Sequence, residues 1–139
     1  MALRTQYNSC MYRWVEHPSE AELEVEAEPP ADVLAEATIA FGDLLSDARL
    51  EELEIEVRAT AHDYPALFAE GLSELAHHAE TDAFIPERAA KMDLLGTTVK
   101  ALLAGHRSEP QSLVKGVTYH HLEMERRGGL WRARAVLDV

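Results

Sequence analysis

The 139-residue sequence predicts an α+β domain, a mostly antiparallel sheet with two main helices packed on one face. Three observations carry that prediction. Glu20–Ala27 and Leu53–Ala59 alternate apolar and charged residues with period two. Two other segments repeat apolar residues at helical spacing. Gly96-Thr97 and Gly128-Gly129 sit between extended runs, as the short turns of hairpins do.

Taken in order, residues 1–10 are polar and lack periodicity, so they read as a flexible N-terminal tail before a domain at 11–139. The patterned sequence begins at Met11, which makes that residue an alternative start. Met11–Glu16 is rich in large residues and reads as a strand, broken by His17-Pro18-Ser19. In the next strand Ala21, Leu23, Val25 and Ala27 face one way, and Glu20, Glu22, Glu24 and Glu26 the other. Pro29-Pro30 suits the first turn of a helix over 32–46, whose apolar stripe includes Val33, Ala37, Phe41 and Leu45. A half-buried strand follows at 53–59. Asp63 is a natural N-cap for a second helix, with Pro65 in its first turn and Phe68, Leu72, Leu75 and Ala79 on its buried side. The run 84–103 reads as a hairpin about Gly96-Thr97, 115–126 as extended, and 131–139 as a final strand.

Composition narrows the function. There are 13 Lys+Arg against 25 Asp+Glu, a formal charge of −12. A free-standing nucleic-acid binder needs a cationic footprint, so this class is disfavoured. The single cysteine, Cys10, excludes an internal disulfide and a Cys-based zinc site, which suits the cytoplasm. No apolar run approaches the ~20 residues of a bilayer helix, and no secretory leader is visible. Nucleophilic catalysis has no anchor, because no Gly-x-Ser-x-Gly elbow or phosphate loop occurs. The adjacent pairs His77-His78 and His120-His121 diverge if their elements are regular, which argues against zinc. Arg126, Arg127, Arg132 and Arg134 read as partners for glutamates across the sheet, and Trp14 and Trp131 as packing residues.

The segment from Val114-Lys115-Gly116-Val117-Thr118-Tyr119-His120 through Gly128-Gly129 to Trp131–Val139 closely resembles the archease family. Tyr12-Arg13-Trp14-Val15-Glu16-His17 resembles the family's opening, and Leu72-Ser73-Glu74-Leu75 its Leu-Asn-Glu-Leu helix. The resemblance implies the same α+β fold and a protein cofactor rather than an enzyme. It implies a protein partner, the GTP-dependent RNA ligase of tRNA splicing and RNA repair, which attaches GMP to its own histidine; RNA is reached only through that ligase. It further implies a divalent metal, calcium before magnesium or manganese. The metal would lie on an acidic tip held by the Asp of the opening motif, the next-to-last Asp and the terminal residue. Two of these carry over as Asp138 and Val139. The third falls on Glu20, because His17-Pro18-Ser19-Glu20 stands where the family has a His-Thr-Ala-Asp-like run. Glutamate keeps the oxygen donors and adds a methylene, which the flexible shell of calcium accepts more readily than octahedral magnesium does. His17 is placed to orient Glu20, and Glu74 to support the same tip. Glu20 and Asp138 both fall on polar strand faces; if those strand ends are neighbours, the clustered carboxylates repel unless a cation sits among them. The competing function is a divalent-metal-binding, chaperone-like module with a different protein client.

Overall fold

A computed structural model describes residues 3–5 and 10–139. Within the segment expected to be a tail, residues 3–5 form a strand and Cys10 is buried; residues 1, 2 and 6–9 lie outside the described residues.

The elements follow the alternation of the sequence closely. Strands β1 (Leu3–Thr5), β2 (Met11–His17) and β3 (Glu20–Ala27) precede helix α1 (Pro30–Leu45). Strand β4 (Leu53–Thr60) leads to helix α2 (Tyr64–Asp82). Strands β5 (Phe84–Leu95) and β6 (Thr98–Arg107) form the hairpin about Gly96-Thr97. Strands β7 (Gly116–Arg127) and β8 (Leu130–Asp138) turn at Gly128-Gly129, both at positive φ, where glycine is unstrained. Asp63 caps α2 as expected, its carboxylate accepting the Ala66 N–H at 2.9 Å.

The α+β class stands, but the strands divide into two antiparallel sheets. One is ordered β1-β2-β3-β8-β7, the other β4-β6-β5. Periodicity assigns each strand a buried face and says nothing about which strand it pairs with, so the division was not visible in the sequence. The helices join the sheets: α1 touches β2, β3, β5 and β8, and α2 touches β4, β5, β7 and β8. Leu23, Val25 and Ala27 of β3 and Ala135 and Leu137 of β8 are at most 1% exposed beneath them. Trp14 is buried too, its indole N–H donating to the Ala40 carbonyl at 3.1 Å and locking β2 to α1. Trp131 packs edge-on against Tyr64, with centroids 5.1 Å apart.

One buried ionisable pair went unread in the sequence. Glu87 on β5 and His106 on β6 are 4% and 1% exposed. Glu87 Oε2 lies 2.7 Å from His106 Nδ1 and accepts the N–H groups of Leu50 (3.1 Å) and Glu51 (2.9 Å). Burial pushes the Glu87 carboxyl up, but the Glu51 N–H, His106 and the Leu50 N–H together outweigh it and hold the group below its ordinary value.

Candidate functional site: an acidic tip at the end of the large sheet

The turn between β2 and β3 is Pro18-Ser19. Proline supplies the fixed φ of the first turn position, and Ser19 takes φ +60° at the second. This tight turn sets Glu20 opposite His17. On the other side of β3, Glu20 is the register partner of Asp138, and Asp138 is in turn the partner of Gly116 on β7. One row of the sheet therefore reads His17, Glu20, Asp138, Gly116. The row is clasped at its end by two main-chain bonds. The Val139 N–H donates to the Ser19 carbonyl at 3.0 Å, and the Lys115 N–H donates to the Asp138 carbonyl at 2.7 Å. A side chain built at Gly116 would meet nothing within 4 Å, so the flank of Asp138 is open. Residue 20 and residues 138–139, far apart in sequence, meet at one end of the sheet.

Charge pairing makes this row unlike its neighbours. On the solvent face of the sheet, Glu24 pairs with Arg13, which is opposite it, and Glu26 pairs with Arg132. Arg134 reaches Glu123 at 3.5 Å and Glu22 at 3.9 Å. Arg126 and Arg127 meet Glu28 and Glu125. The basic residues around the last hairpin thus balance glutamates, most of them across strands and Glu125 along Arg127's own strand. In the terminal row, by contrast, carboxylate faces carboxylate. Directly opposed residues hold their Cβ atoms about 4.5–5.5 Å apart, and like charges there destabilise a sheet. Among the described residues neither Glu20 nor Asp138 has an ion-pair partner. Both side chains are exposed.

The donors of this row are hard oxygens: two carboxylates and the main chain of Val139. They suit a cation such as calcium. Among the described residues no three His, Cys, Asp or Glu side chains converge as a metal-holding group, so a metal held in this row would need a third protein donor from the main chain, such as that of Val139. His17 stands beside Glu20 in the row. Glu74 lies on α2, 3.9 Å from His78 in an i,i+4 pair, and among the described residues it makes no recorded contact with Glu20, Asp138 or Val139.

The histidine pairs behave differently from each other. His77 and His78 lie on regular helix and diverge, with ring centroids 5.7 Å apart at 70°. His120 and His121 do not diverge. They stack at 3.9 Å and 27°, because β7 is irregular between Thr118 and Glu123 and His121 takes φ +61°. The expectation of divergence rested on a regular strand, and a bulge overturns it.

Residues 12–139 match the model of the Archease protein family (MTH1598/TM1083). Protein archease of Methanopyrus kandleri is 32% identical over 135 residues, covering 90% of this chain and 96% of that one. Protein archease of Methanosarcina mazei is 28% identical over 139 residues, covering 92% and 95%. The solution structure of Methanobacterium thermoautotrophicum protein 1598 superposes with a TM-score of 0.71 at 22% identity, covering 92% of this chain and 98% of that chain. The crystal structure of a Thermotoga maritima protein, described as an archease and possible chaperone, superposes at 0.69 with 19% identity, covering 90% and 94%. With the fold shared and the family model spanning all but the first eleven residues, the chain belongs to the archease family.

Proposed function

We propose that this protein is a cofactor of a GTP-dependent RNA-splicing ligase. In this reading it stimulates attachment of GMP to the ligase's histidine and sustains multiple turnover, and it is not itself a catalyst. The observation that carries the reading is the opposed Glu20–Asp138 pair clasped by Val139 at the end of β3 and β8. A sheet that neutralises its other cross-strand glutamates leaves this pair uncompensated, as a cation site or a docking point for a basic pocket requires. Glu20, Asp138 and Val139 would hold a divalent ion, calcium before magnesium or manganese, with His17 orienting Glu20 from the adjacent strand. A bound ion would offset the two carboxylates and provide a Lewis acid for phosphate oxygens. The protein's own contribution is positioning: two rigid strands present the carboxylates at an exposed end, where a basic nucleotide pocket can receive them. The protein works in the cytoplasm and reaches RNA only through the ligase.

The Thermotoga maritima structure is described as a possible chaperone, and a second reading is a chaperone-like module with another protein client, here one that also binds a metal. Two measurements on Asp138→Ala separate the readings. In single-turnover guanylylation at equal ligase, the wild-type chain should accelerate the step and the variant should lose that stimulation. Calcium should raise the unfolding temperature of the wild type by mass action and leave that of the variant unmoved. A calcium response without ligase stimulation in the wild type selects the second reading. Full stimulation by a folded Asp138→Ala chain removes the tip from the mechanism.

A further inference from the structure

We infer that strand β4, an outer edge of the small sheet, is a docking edge for an extended segment of a protein partner in which basic and aliphatic residues alternate. It belongs to a different sheet from the Glu20–Asp138 row. Main-chain groups at a sheet edge lack partners, and proteins guard such edges with very short strands, bulges or proline. Among the described residues the other three edges are guarded in these ways. Strand β1 has three residues, β7 is irregular between Thr118 and Glu123, and β5 carries Pro86 and two register shifts. Strand β4 runs eight residues with neither proline nor glycine. Its register with β6 is unbroken from Leu53 opposite Gly105 to Thr60 opposite Thr98.

The direction of its free groups follows from one bond. The Ala61 N–H donates to the Thr97 carbonyl at 3.1 Å, and the β4–β6 register continues through that pair. Residues of an antiparallel strand alternate in turning both main-chain groups to one neighbour or the other. Leu53, Ile55, Val57 and Ala59 therefore bond to β6, and Glu54, Glu56, Arg58 and Thr60 turn their N–H and C=O groups outward. Among the described residues no strand pairs with that side, and no hydrogen bond from outside the ladder reaches it. An added strand joins such an edge by main-chain bonds, and its alternate side chains set the specificity. On the outer face it meets Glu54 and Glu56. Glu56 already holds Arg58 at 3.3 Å and Lys100 at 3.4 Å, whereas among the described residues Glu54 has no ion pair. A lysine or arginine opposite Glu54 completes a cross-strand charge pair, and an acidic residue there is repelled. On the inner face the added side chains fall beside Leu53 and Ile55, half-buried and packed on the core. Next along the strand, Val57 and Ala59 line an apolar hollow with Phe68, Gly71 and Leu72, and a Cβ at Gly71 would meet nothing within 4 Å. Aliphatic residues suit that side, because they bury carbon against carbon.

Titrating the isotope-labelled full chain with a capped peptide of alternating lysine and valine, matched in length to β4, tests this by amide exchange in NMR. In the free chain the amides of Ile55 and Val57 should exchange slowly and those of Glu54, Glu56 and Arg58 fast. Saturating peptide should slow the fast set about tenfold or more. A glutamate–valine peptide and a scrambled lysine–valine peptide should leave them unchanged. Glu54→Lys should weaken binding about fivefold, because an attractive cross-strand pair becomes a repulsive one. Arg58→Pro should weaken it about tenfold or more even though it removes a competing positive charge, because it deletes an outward N–H and no bond to β6. Circular dichroism and thermal unfolding establish that each variant folds; if Arg58→Pro does not, Glu54→Lys carries the test. Equal affinity for the scrambled peptide would overturn the docking edge, as would wild-type affinity in a folded Arg58→Pro chain or in Glu54→Lys. Protection that appears at Ala21 and Leu137 instead would place the peptide at the acidic tip. A dimeric free chain with the Glu54 and Glu56 amides already protected would assign the edge to a second copy, which also overturns the proposal.

Discussion

At the scale of single residues, Glu87 shows what a buried carboxylate does in this fold. Its Oε2 gathers His106 and the N–H groups of Leu50 and Glu51, so one side chain fastens the segment after α1 to the small sheet. The folded group titrates below the ordinary 4.5. A depressed carboxylate contributes stability that is fully present above about pH 4.5 and is lost as pH falls through the folded value. Glu87→Gln keeps the shape, removes the charge and leaves its partners poorly satisfied, which should cost about 1–3 kcal/mol at pH 7. The gap between variant and wild type should close as pH falls below 4.5. Urea midpoints measured from pH 7 to pH 3 check both statements. A constant gap across that range would mean that ionisation of Glu87 is not the source. Nothing in the local sequence marked this residue: Glu87 follows Pro86 in an irregular stretch of β5, and its partner is nineteen positions away.

Elements were legible where a side chain acts on its own segment and opaque where it acts on another. Asp63, Pro65 and the stripe at 68, 72, 75 and 79 announce α2, because capping and amphipathicity are local. The four alternating glutamates of β3 fix which face is wet. The division into two sheets, the bulge at 119–122 and the meeting of Glu20 with Asp138 all depend on pairing between distant strands. The candidate tip was accordingly reached through family resemblance, with only the polar faces of its two strands readable from alternation. The same distinction governs two glycines in the helices. Gly71 lies within α2, and a Cβ there meets nothing within 4 Å. Gly71→Ala should therefore stabilise by about 0.5–1 kcal/mol through helix propensity alone. Gly42 sits on α1 where a Cβ would come within 1.8 Å of the Pro86 carbonyl oxygen. Gly42→Ala must push α1 away from β5, at a cost of about 3 kcal/mol. Thermal unfolding of the two variants should move in opposite directions. A destabilised Gly71→Ala would show that the helix relies on glycine for a reason other than space.

For the molecule as a whole, the decisive quantity is a formal charge of −12 whose compensation is uneven. The solvent face of the large sheet spends its arginines on glutamates, leaving the terminal carboxylates bare. Among the described residues the exposed large hydrophobics, Leu50, Leu95, Leu113 and Tyr119, belong to four separate segments, as isolated surface residues commonly do. Association with a basic partner should then be steered by field rather than led by apolar burial. Because the Debye length falls from about 10 Å at 0.1 M salt to about 3 Å at 1 M, the association rate with the proposed ligase partner should drop steeply over that range. The dissociation rate should change much less, since steering acts on encounter. Asp138→Asn, one charge poorer at the tip, should flatten the salt slope of the association rate. The isolated chain should bind single-stranded RNA negligibly by fluorescence anisotropy at 0.15 M salt, because phosphate binding needs free cations. Surface-bound ligase and a salt series of association traces measure the first effect. A salt-independent association rate would mean that an apolar contact, and not the acidic end of the sheet, leads the docking.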